Sequence, residues 1–197
     1  AMLRGIPAMD IQVMGNYAKV KATTAKSLME LVPPYEGITV GAPPPAVDSE
    51  GIGLTVNSFG KGKAVYCAAR IFDAYYREST PVLRKLALAV LDFVYPESSR
   101  KVFIENAPVN VELFYDEKKG ARFVHLVNYS GDKRESGTPQ VQDMPLIHDI
   151  KVSVALDSKP RAVTSVPGGG RITFEYINGR VIFTSEPLLV HNVYMIE

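Results

Sequence analysis

The alternation of apolar and polar residues predicts that the second half of the chain is built from strands. Between residues 98 and 197, short runs rich in β-branched and aromatic residues recur, and several alternate strictly, as Val111, Leu113 and Tyr115 do. Turn residues separate the runs, and Asn178-Gly179 predicts a two-residue hairpin. The eight predicted strands are residues 101–105, 109–115, 122–128, 150–156, 162–166, 172–176, 181–184 and 189–196. Strands of this number and spacing are typical of an antiparallel β-sandwich.

The same alternation predicts which side chains form the core of the sandwich. Glu112 and Lys151 should face outward, since they alternate with apolar neighbours. We expect the inner faces to carry Val111, Leu113, Phe123, Leu126, Val152, Val154, Phe174 and Phe183.

The first half has a different pattern, with one long amphipathic helix. Thr80 and Pro81 are suited to its N-cap and first position, and Pro96 ends it. Apolar residues recur at three- and four-residue spacing. They are Leu83, Leu86, Val90, Phe93 and Val94, with Ala87 and Leu91 widening the stripe. The helix should pack on a sheet.

Shorter apolar runs predict the strands of that sheet. Residues 63–69 suit a strand buried on both faces, as in α/β folds. Residues 17–21 and 27–32 are further predicted strands, although 25–31 could form a helical turn. Residues 71–76 predict a loop or a short helix. The predicted fold class is therefore α+β: a partial α/β unit over residues 1–97, and an antiparallel sandwich of about eight strands over 98–197.

Two segments of the chain predict irregular structure. Pro43-Pro44-Pro45 predicts an exposed polyproline loop, and residues 130–143 predict a polar loop. The linker between the two units is expected at residues 96–100.

Composition and charge place this 197-residue chain among globular proteins. Hydrophobic residues make up 46% and charged residues 22%, which allows a sizeable core and excludes a disordered chain. The net charge of +1 excludes the basic excess of a nucleic-acid-binding protein and gives no polybasic patch for a membrane. No apolar run approaches the roughly 20 residues that span a membrane, and no signal peptide is expected. The single cysteine, Cys67, favours a cytoplasmic protein and leaves a bacterial extracytoplasmic one open.

Two features of the first half resemble reactive or ligand-binding motifs. The sequence Gly60-Lys61-Gly62-Lys63 invites comparison with a phosphate-binding loop, but a strand follows it where a helix should begin. A tight turn explains it better. Cys67 could be a nucleophile only with a nearby histidine and a lowered pKa, and its apolar neighbours favour a buried, inert thiol.

In the second half, three histidines and four carboxylates are the candidates for chemistry. His125, His148 and His191 could bind zinc, but their long spacing favours structural roles. A glycosidase needs two carboxylates about 5–9.5 Å apart. Candidates exist by count alone, and solvated strand edges and turns explain them better. They are Glu105, Glu112, Asp149 and Glu175.

The densest aromatic cluster lies at residues 71–77, which include Phe72, Tyr75, Tyr76 and Arg77. Tyrosine and arginine together are favoured at interfaces and at sugar-binding platforms. Core packing with an inter-domain contact is the preferred interpretation of this cluster. A binding interface or a sugar-binding platform is the alternative.

Several segments, taken in order, resemble one family of enzymes. Residues 59–66, 71–75 and 81–86 are similar to the end of the trimerisation domain of β-galactosidase-like glycoside hydrolases. Residues 106–109, 124–129, 145–146 and 187–191 are similar to the C-terminal β-domain of the same proteins. The resemblance covers nearly the whole chain from about Leu3. It implies a glutamine-amidotransferase-like α/β unit without amidotransferase chemistry, followed by a β-domain.

The resemblance also implies which part of such an enzyme is missing. Those enzymes carry their two catalytic carboxylates on a (β/α)8 barrel that would lie upstream, so no catalytic, cofactor-binding or metal-binding residue is assigned. The sequence therefore predicts an accessory region that stabilises, orients and oligomerises a sugar-hydrolysing domain. A carbohydrate-binding sandwich and an independent enzyme are the alternatives.

The expected partners are the upstream catalytic domain and further copies of this chain, and carbohydrate is a possible ligand. The first unit resembles only the end of an α/β domain, so the strands that would complete its sheet are expected to be missing. Such a partial fold leaves an open sheet edge and an apolar face, which favour self-association. We expect the contacts between copies to concentrate in residues 3–80. The resemblance implies a trimer, and edge pairing would give a dimer.

Overall fold

The computed structural model describes residues 2–33, 48–130, 133–134, 140–141 and 143–197. It divides into two compact units, Ala1–Ser98 and Ser99–Glu197, and each has its own hydrophobic cluster. Every strand pairing between the described strands is antiparallel, and both described α-helices belong to the first unit. The fold class is therefore α+β, as predicted. The predicted polyproline loop at residues 43–45 and much of the predicted polar loop at 130–143 lie outside the described residues.

The first unit contains a three-stranded sheet in the order β1-β2-β3. Its strands are β1 (Lys26–Leu31), β2 (Gly51–Phe59) and β3 (Gly62–Cys67). β1 confirms a strand at the segment that could also have been a helical turn. The hairpin between β2 and β3 turns at Gly60, whose φ of 57° is left-handed. The glycines at this point thus form the expected tight turn instead of a phosphate-binding loop.

Two helices follow the sheet, and they pack on one of its faces. α1 (Ile71–Glu78) ends at Ser79, and α2 (Pro81–Val94) begins after the N-cap Thr80, with proline at its first position as predicted. A 3₁₀ turn, Glu97–Ser99, comes next. Leu54 of β2, Ile71 of α1, and Leu86 and Val90 of α2 form the buried cluster of this unit.

Three expectations for the first unit are wrong in detail. β3 is an edge strand with Lys63, Ala64 and Tyr66 exposed, because the helices cover one face of the sheet and no described strand follows it on its other side. Residues 17–21 make a single bridge, from Tyr17 to Ala69, instead of a strand. On α2, Leu91 and Val94 are exposed, since the packed stripe is narrower than the apolar one.

The second unit is a sandwich of two four-stranded sheets, in the orders β10-β13-β6-β5 and β11-β12-β9-β4. All eight predicted strands are present, although their ends shift by a few residues. The short strands β7 and β8 form a separate two-stranded ribbon. The strands are β4 (Val102–Glu105), β5 (Val111–Lys118), β6 (Ala121–Asn128), β7 (Lys133–Arg134), β8 (Gln140–Val141), β9 (Lys151–Ala155), β10 (Val163–Val166), β11 (Phe174–Ile177), β12 (Arg180–Thr184) and β13 (His191–Ile196).

The core of the sandwich lies between the inner faces of the two sheets. Of the predicted core residues, Val111, Leu126, Val152, Val154 and Phe183 are buried in it, and Leu113 and Phe174 pack against it half-buried. Phe123 was wrongly placed there. It lies one residue before Val124, which is fully buried, so alternation along β6 turns Phe123 to the outer face.

The predicted hairpin at Asn178-Gly179 joins β11 to β12. Both residues have positive φ, 50° and 74°, as the tightest hairpin turns require. Lys119 and Gly120 form an equivalent turn between β5 and β6. These turns fix the register of both hairpins, and with it the side chains that point outward.

Candidate functional site

Asn128 organises one end of the sandwich, which we call the Asn128 end. Its side chain is 1% exposed and lies at the last position of β6. The Nδ2 group donates to the carbonyl oxygens of Pro145, at 2.8 Å, and Leu189, at 2.9 Å. Its Oδ1 accepts from the backbone N–H of Ser130 at 2.9 Å. One buried amide therefore joins three stretches of chain that are distant in sequence, and satisfies its own polar atoms in doing so.

Backbone bonds add a fourth segment and tighten the arrangement. The N–H of Asn128 donates to the Val190 carbonyl at 2.8 Å, and the N–H of Tyr129 donates to the Asn110 carbonyl at 2.9 Å. Ile147 and Leu188 exchange two further backbone bonds. Four segments thus meet at this end: the start of β5, the end of β6, the segment before β9 and the segment before β13.

A buried tyrosine holds the segment before β13 from the inner side. Tyr194 is fully buried, its hydroxyl oxygen accepts from the Glu186 N–H at 2.9 Å, and its ring meets Phe183 edge-on with centroids 5.0 Å apart. Burial raises the pKa of Tyr194 above its ordinary value. Asn192 Nδ2 donates to the Glu186 carbonyl at 3.0 Å. The residues that follow are therefore presented on a fixed backbone.

Large apolar side chains are exposed on these same four segments. We call them the end patch, and they are 46–59% exposed. Monomeric soluble proteins expose scattered apolar residues, whereas a cluster on a rigid backbone is typical of an interaction surface. The end patch consists of Val109, Tyr129, Leu146, Leu189 and Val190.

The four segments that meet at the Asn128 end contain stretches on which the sequence resemblance to a C-terminal β-domain is based, and that resemblance stays a prediction. The matching stretches, residues 106–109, 124–129, 145–146 and 187–191, include Asn128 and all five end-patch residues. Examination of single residues for catalytic chemistry missed this site, because it contains no reactive group. The order of the segments was the available signal.

The structure brings two of the three histidines together. His125 Nδ1 and His191 Nε2 are 3.1 Å apart on the outer face of the β10-β13-β6-β5 sheet. His148 is exposed in the segment before β9. Their long spacing in the sequence, 66 positions, hid this contact, because it arises from the pairing of β6 with β13. No group of three or more potential metal ligands occurs among the described residues.

The four candidate carboxylates are exposed and lie on different parts of the sandwich. Glu112 lies on β5, whereas Glu105 and Glu175 lie on β4 and β11 of the other sheet. β4 and β11 are opposite edges of their sheet, so two strands, and roughly 14 Å, separate these two glutamates. Asp149 sits in the turn before β9 with a φ of 59°. Glu105 and Glu175 are therefore farther apart than the about 5–9.5 Å of a glycosidase pair, whereas Asp149 lies two residues before Lys151, the cross-strand partner of Glu105.

The remaining candidates lie in the first unit. Cys67 is half-buried, and burial raises the pKa of its thiol, the opposite of the shift that a nucleophile needs. In the aromatic cluster of α1, Ile71 belongs to the core, whereas Phe72 and Tyr76 are exposed. No helix among the described residues is long and apolar enough to span a bilayer.

Comparison with known proteins gives a fold but no sequence family. No family model and no curated protein matches the chain. The structure is similar to the α-L-fucosidase isoenzyme 2 from Paenibacillus thiaminolyticus, with a TM-score of 0.75 and 19% identity over 92% of this chain and 28% of that chain. A β-galactosidase from Bacillus circulans sp. alkalophilus matches with a TM-score of 0.40 and 18% identity, over 90% of this chain and 18% of the other. Both are glycoside hydrolases, and this chain spans less than a third of either.

Proposed function

We propose that this chain is a non-catalytic accessory and oligomerisation region of a glycoside hydrolase whose catalytic barrel lies outside it. The observation that carries the proposal is the shared fold with part of the fucosidase. The match covers 92% of this chain but leaves most of the fucosidase unmatched. This partial coverage is what a region beside a separate catalytic domain would show.

The placement of the carboxylates supports a non-catalytic role. Glycoside hydrolysis in most families needs an acid and a second carboxylate on either side of one bond. Glu105 and Glu175, both on the β11-β12-β9-β4 sheet, are about 14 Å apart by strand count, and Glu112 lies on the other sheet.

In this proposal the end patch is the surface that contacts the catalytic domain. Its five apolar side chains stand on a backbone that Asn128 holds rigid, so binding would cost little ordering of the chain. The outer faces of the sheets carry charged residues such as Glu112 and Lys151 and suit water better.

A carbohydrate-binding sandwich is the alternative function, and it has less support. Such a module would be favoured by a row of exposed tyrosine or phenylalanine side chains on one face or at one end. Among the described residues of this unit, the two largely exposed aromatic side chains are Phe114 on β5 and Tyr129 at the Asn128 end. They lie on different surfaces and form no row.

Self-association belongs to the same proposal and is assigned to the first unit. No described strand lies beyond β3 in its sheet, so this edge can pair with another chain. The number of copies, and the trimerisation domain that the resemblance implies, remain predictions.

An activity assay tests the accessory role directly. The purified chain should not hydrolyse aryl glycosides of galactose, fucose or glucose above the rate of a buffer blank. A fucosidase of known activity serves as the positive control. Turnover that disappears in Glu105→Gln or Glu175→Gln would contradict the proposal, because it would place a catalytic carboxylate on the sandwich.

A further inference from the structure

We propose that His125 and His191 form a binding site for a divalent transition-metal ion such as Zn²⁺ or Ni²⁺ on the outer face of the sandwich. Imidazole nitrogen is a preferred ligand for these ions. The accessory function proposed above makes no use of either histidine. The site therefore gives the outer face of this sheet a property that is separate from the accessory role.

The register of β6 and β13 places the two side chains beside each other. His125 pairs with Val193, and His191 pairs with Val127, so the histidines are diagonal neighbours on adjacent strands. Such neighbours are within reach of one another when the side chains are aromatic. The fully buried side chain of Leu126, next to His125 on β6, fixes the alternation that turns His125 outward. His191 is exposed at the start of β13.

The ring nitrogens are at a separation that suits two ligands of one ion. His125 Nδ1 and His191 Nε2 are 3.1 Å apart. Two imidazole nitrogens that bind zinc at about 2.0–2.1 Å with tetrahedral angles are about 3.3 Å from each other. The planes of the two rings are inclined by 16°, and their centroids are 5.4 Å apart. This distance is close to the 3.1 Å between the two nitrogens plus the radii of both rings, so the rings meet edge to edge.

Metal binding would replace the hydrogen bond between the two rings. In the neutral pair one facing nitrogen carries the proton and the other accepts it. When the ion binds, that proton moves through solvent to the outward nitrogen of its own ring. Both facing nitrogens then have lone pairs, both imidazoles stay neutral, and no net proton is released. The exposed ring of His191 tilts so that the two lone pairs converge on the ion.

The pair offers a cation two protein ligands, and bound water would fill the remaining positions. Glu112 pairs with Val127 on one side, and His191 pairs with Val127 on the other, so an exposed carboxylate lies in the same row of the sheet. Because the pair supplies only two of the four ligands that zinc prefers, water must complete the shell. Ions that prefer oxygen ligands, such as Mg²⁺, should not bind.

Titration calorimetry with metal salts alone tests the site. The chain, free of any purification tag, is titrated with ZnCl₂ and separately with NiCl₂ at pH 7.5, with MgCl₂ as the negative control. We expect one ion per chain, and affinity at least tenfold weaker in His125→Asn and in His191→Asn. Asparagine keeps a polar side chain at each position. His148→Asn is the matched control, because it removes an exposed histidine outside the pair and should leave binding unchanged.

Thermal unfolding gives a second readout that does not depend on calorimetric heat. An ion that binds only the folded chain raises its Tm as the ion concentration rises. The Tm should rise with ion concentration in the wild type and in His148→Asn, and it should not rise in His191→Asn. Because residue 191 is exposed, misfolding of this variant would be a poor explanation for the lost rise. Unchanged affinity in both paired variants, loss in His148→Asn, or no binding to the wild type would overturn the proposal and leave the pair as a structural hydrogen bond.

Discussion

The two units have nearly equal lengths but bury very different amounts of apolar surface. Among the described residues, the hydrophobic cluster of the sandwich contains fourteen buried side chains, drawn from both sheets. The cluster of the first unit contains four, surrounded by ten that are only partly buried. The sandwich thus encloses its core between its own two sheets, whereas the described part of the first unit has a single sheet with two helices packed on one face.

Exposed apolar residues differ between the units in the same way. In the sandwich, five of them belong to the end patch, on a backbone fixed by Asn128. In the described part of the first unit they occur on β2, β3, α1, α2 and the segments beside them: Met9, Met14, Phe59, Tyr66, Phe72, Tyr76, Leu88, Leu91, Val94 and Tyr95. The chain thus combines two different units. The sandwich encloses its own core and has one proposed interaction surface, whereas the first unit exposes apolar residues on several surfaces. The difference supports self-association through the first unit.

The largest expected effect is the loss of a core side chain from the sandwich. Phe183 is 3% exposed and packs against Tyr194, so Phe183→Ala should cost about 3–5 kcal/mol in the free energy of unfolding. Phe114→Ala is the matched control, since Phe114 is 53% exposed on the outer face and should change stability by less than about 0.5 kcal/mol. Urea unfolding followed by circular dichroism measures both. Similar losses for the two variants would mean that the inner and outer faces are misassigned.

A smaller effect is expected from a glycine in the sheet of the first unit. A Cβ atom at Gly53 would lie 2.7 Å from the Glu30 carbonyl oxygen, where the register of β1 and β2 is irregular. Gly53→Ala must push two backbones apart and should cost about 1–3 kcal/mol. At Gly62 the nearest atom would be 3.5 Å away, so Gly62→Ala should be nearly neutral. If both substitutions were neutral in thermal unfolding, the first unit would be looser than its sheet suggests.

The smallest effect concerns association between copies. Size exclusion with light scattering, across a tenfold dilution series, should give a mass above 21.6 kDa at the highest concentration. Replacing both Phe72 and Tyr76 of α1 with serine removes exposed apolar area within residues 3–80 and should weaken association about tenfold, or about 1.4 kcal/mol. The double change of Leu189 and Val190 to serine, in the end patch, should leave it unchanged. A mass of 21.6 kDa at every concentration would refute self-association.

The sandwich was largely predictable from sequence, because its strands are local patterns. Several strands alternate, and Asn178-Gly179 has the backbone freedom that a two-residue turn needs, so neither signal depends on distant residues. The first unit was less predictable. β2 was missed although Ile52, Leu54 and Val56 alternate with polar neighbours, and β3 was expected inside a sheet because apolar runs do not reveal whether a second layer covers them.

The candidate sites were less predictable than the fold, since pairing between distant strands creates them. His125 and His191 are 66 positions apart, and only the register of β6 and β13 makes them neighbours. The role of Asn128 depends on carbonyl groups of Pro145 and Leu189, whose side chains give no sign of it. Motif searches within one segment do not detect contacts of this kind.

The position of β13 in its sheet has a consequence for how the chain is made. β13 lies between β10 and β6, although its residues, His191–Ile196, form the last of the described strands to leave the ribosome. Until they emerge, β6 and β10 lack their shared partner and the inner face lacks Tyr194 and Ile196. The first unit can therefore form during synthesis, whereas the sandwich must close after translation has passed residue 196. For that interval the nascent chain exposes two unpaired strand edges, and a chaperone at the ribosomal exit would find its substrate there.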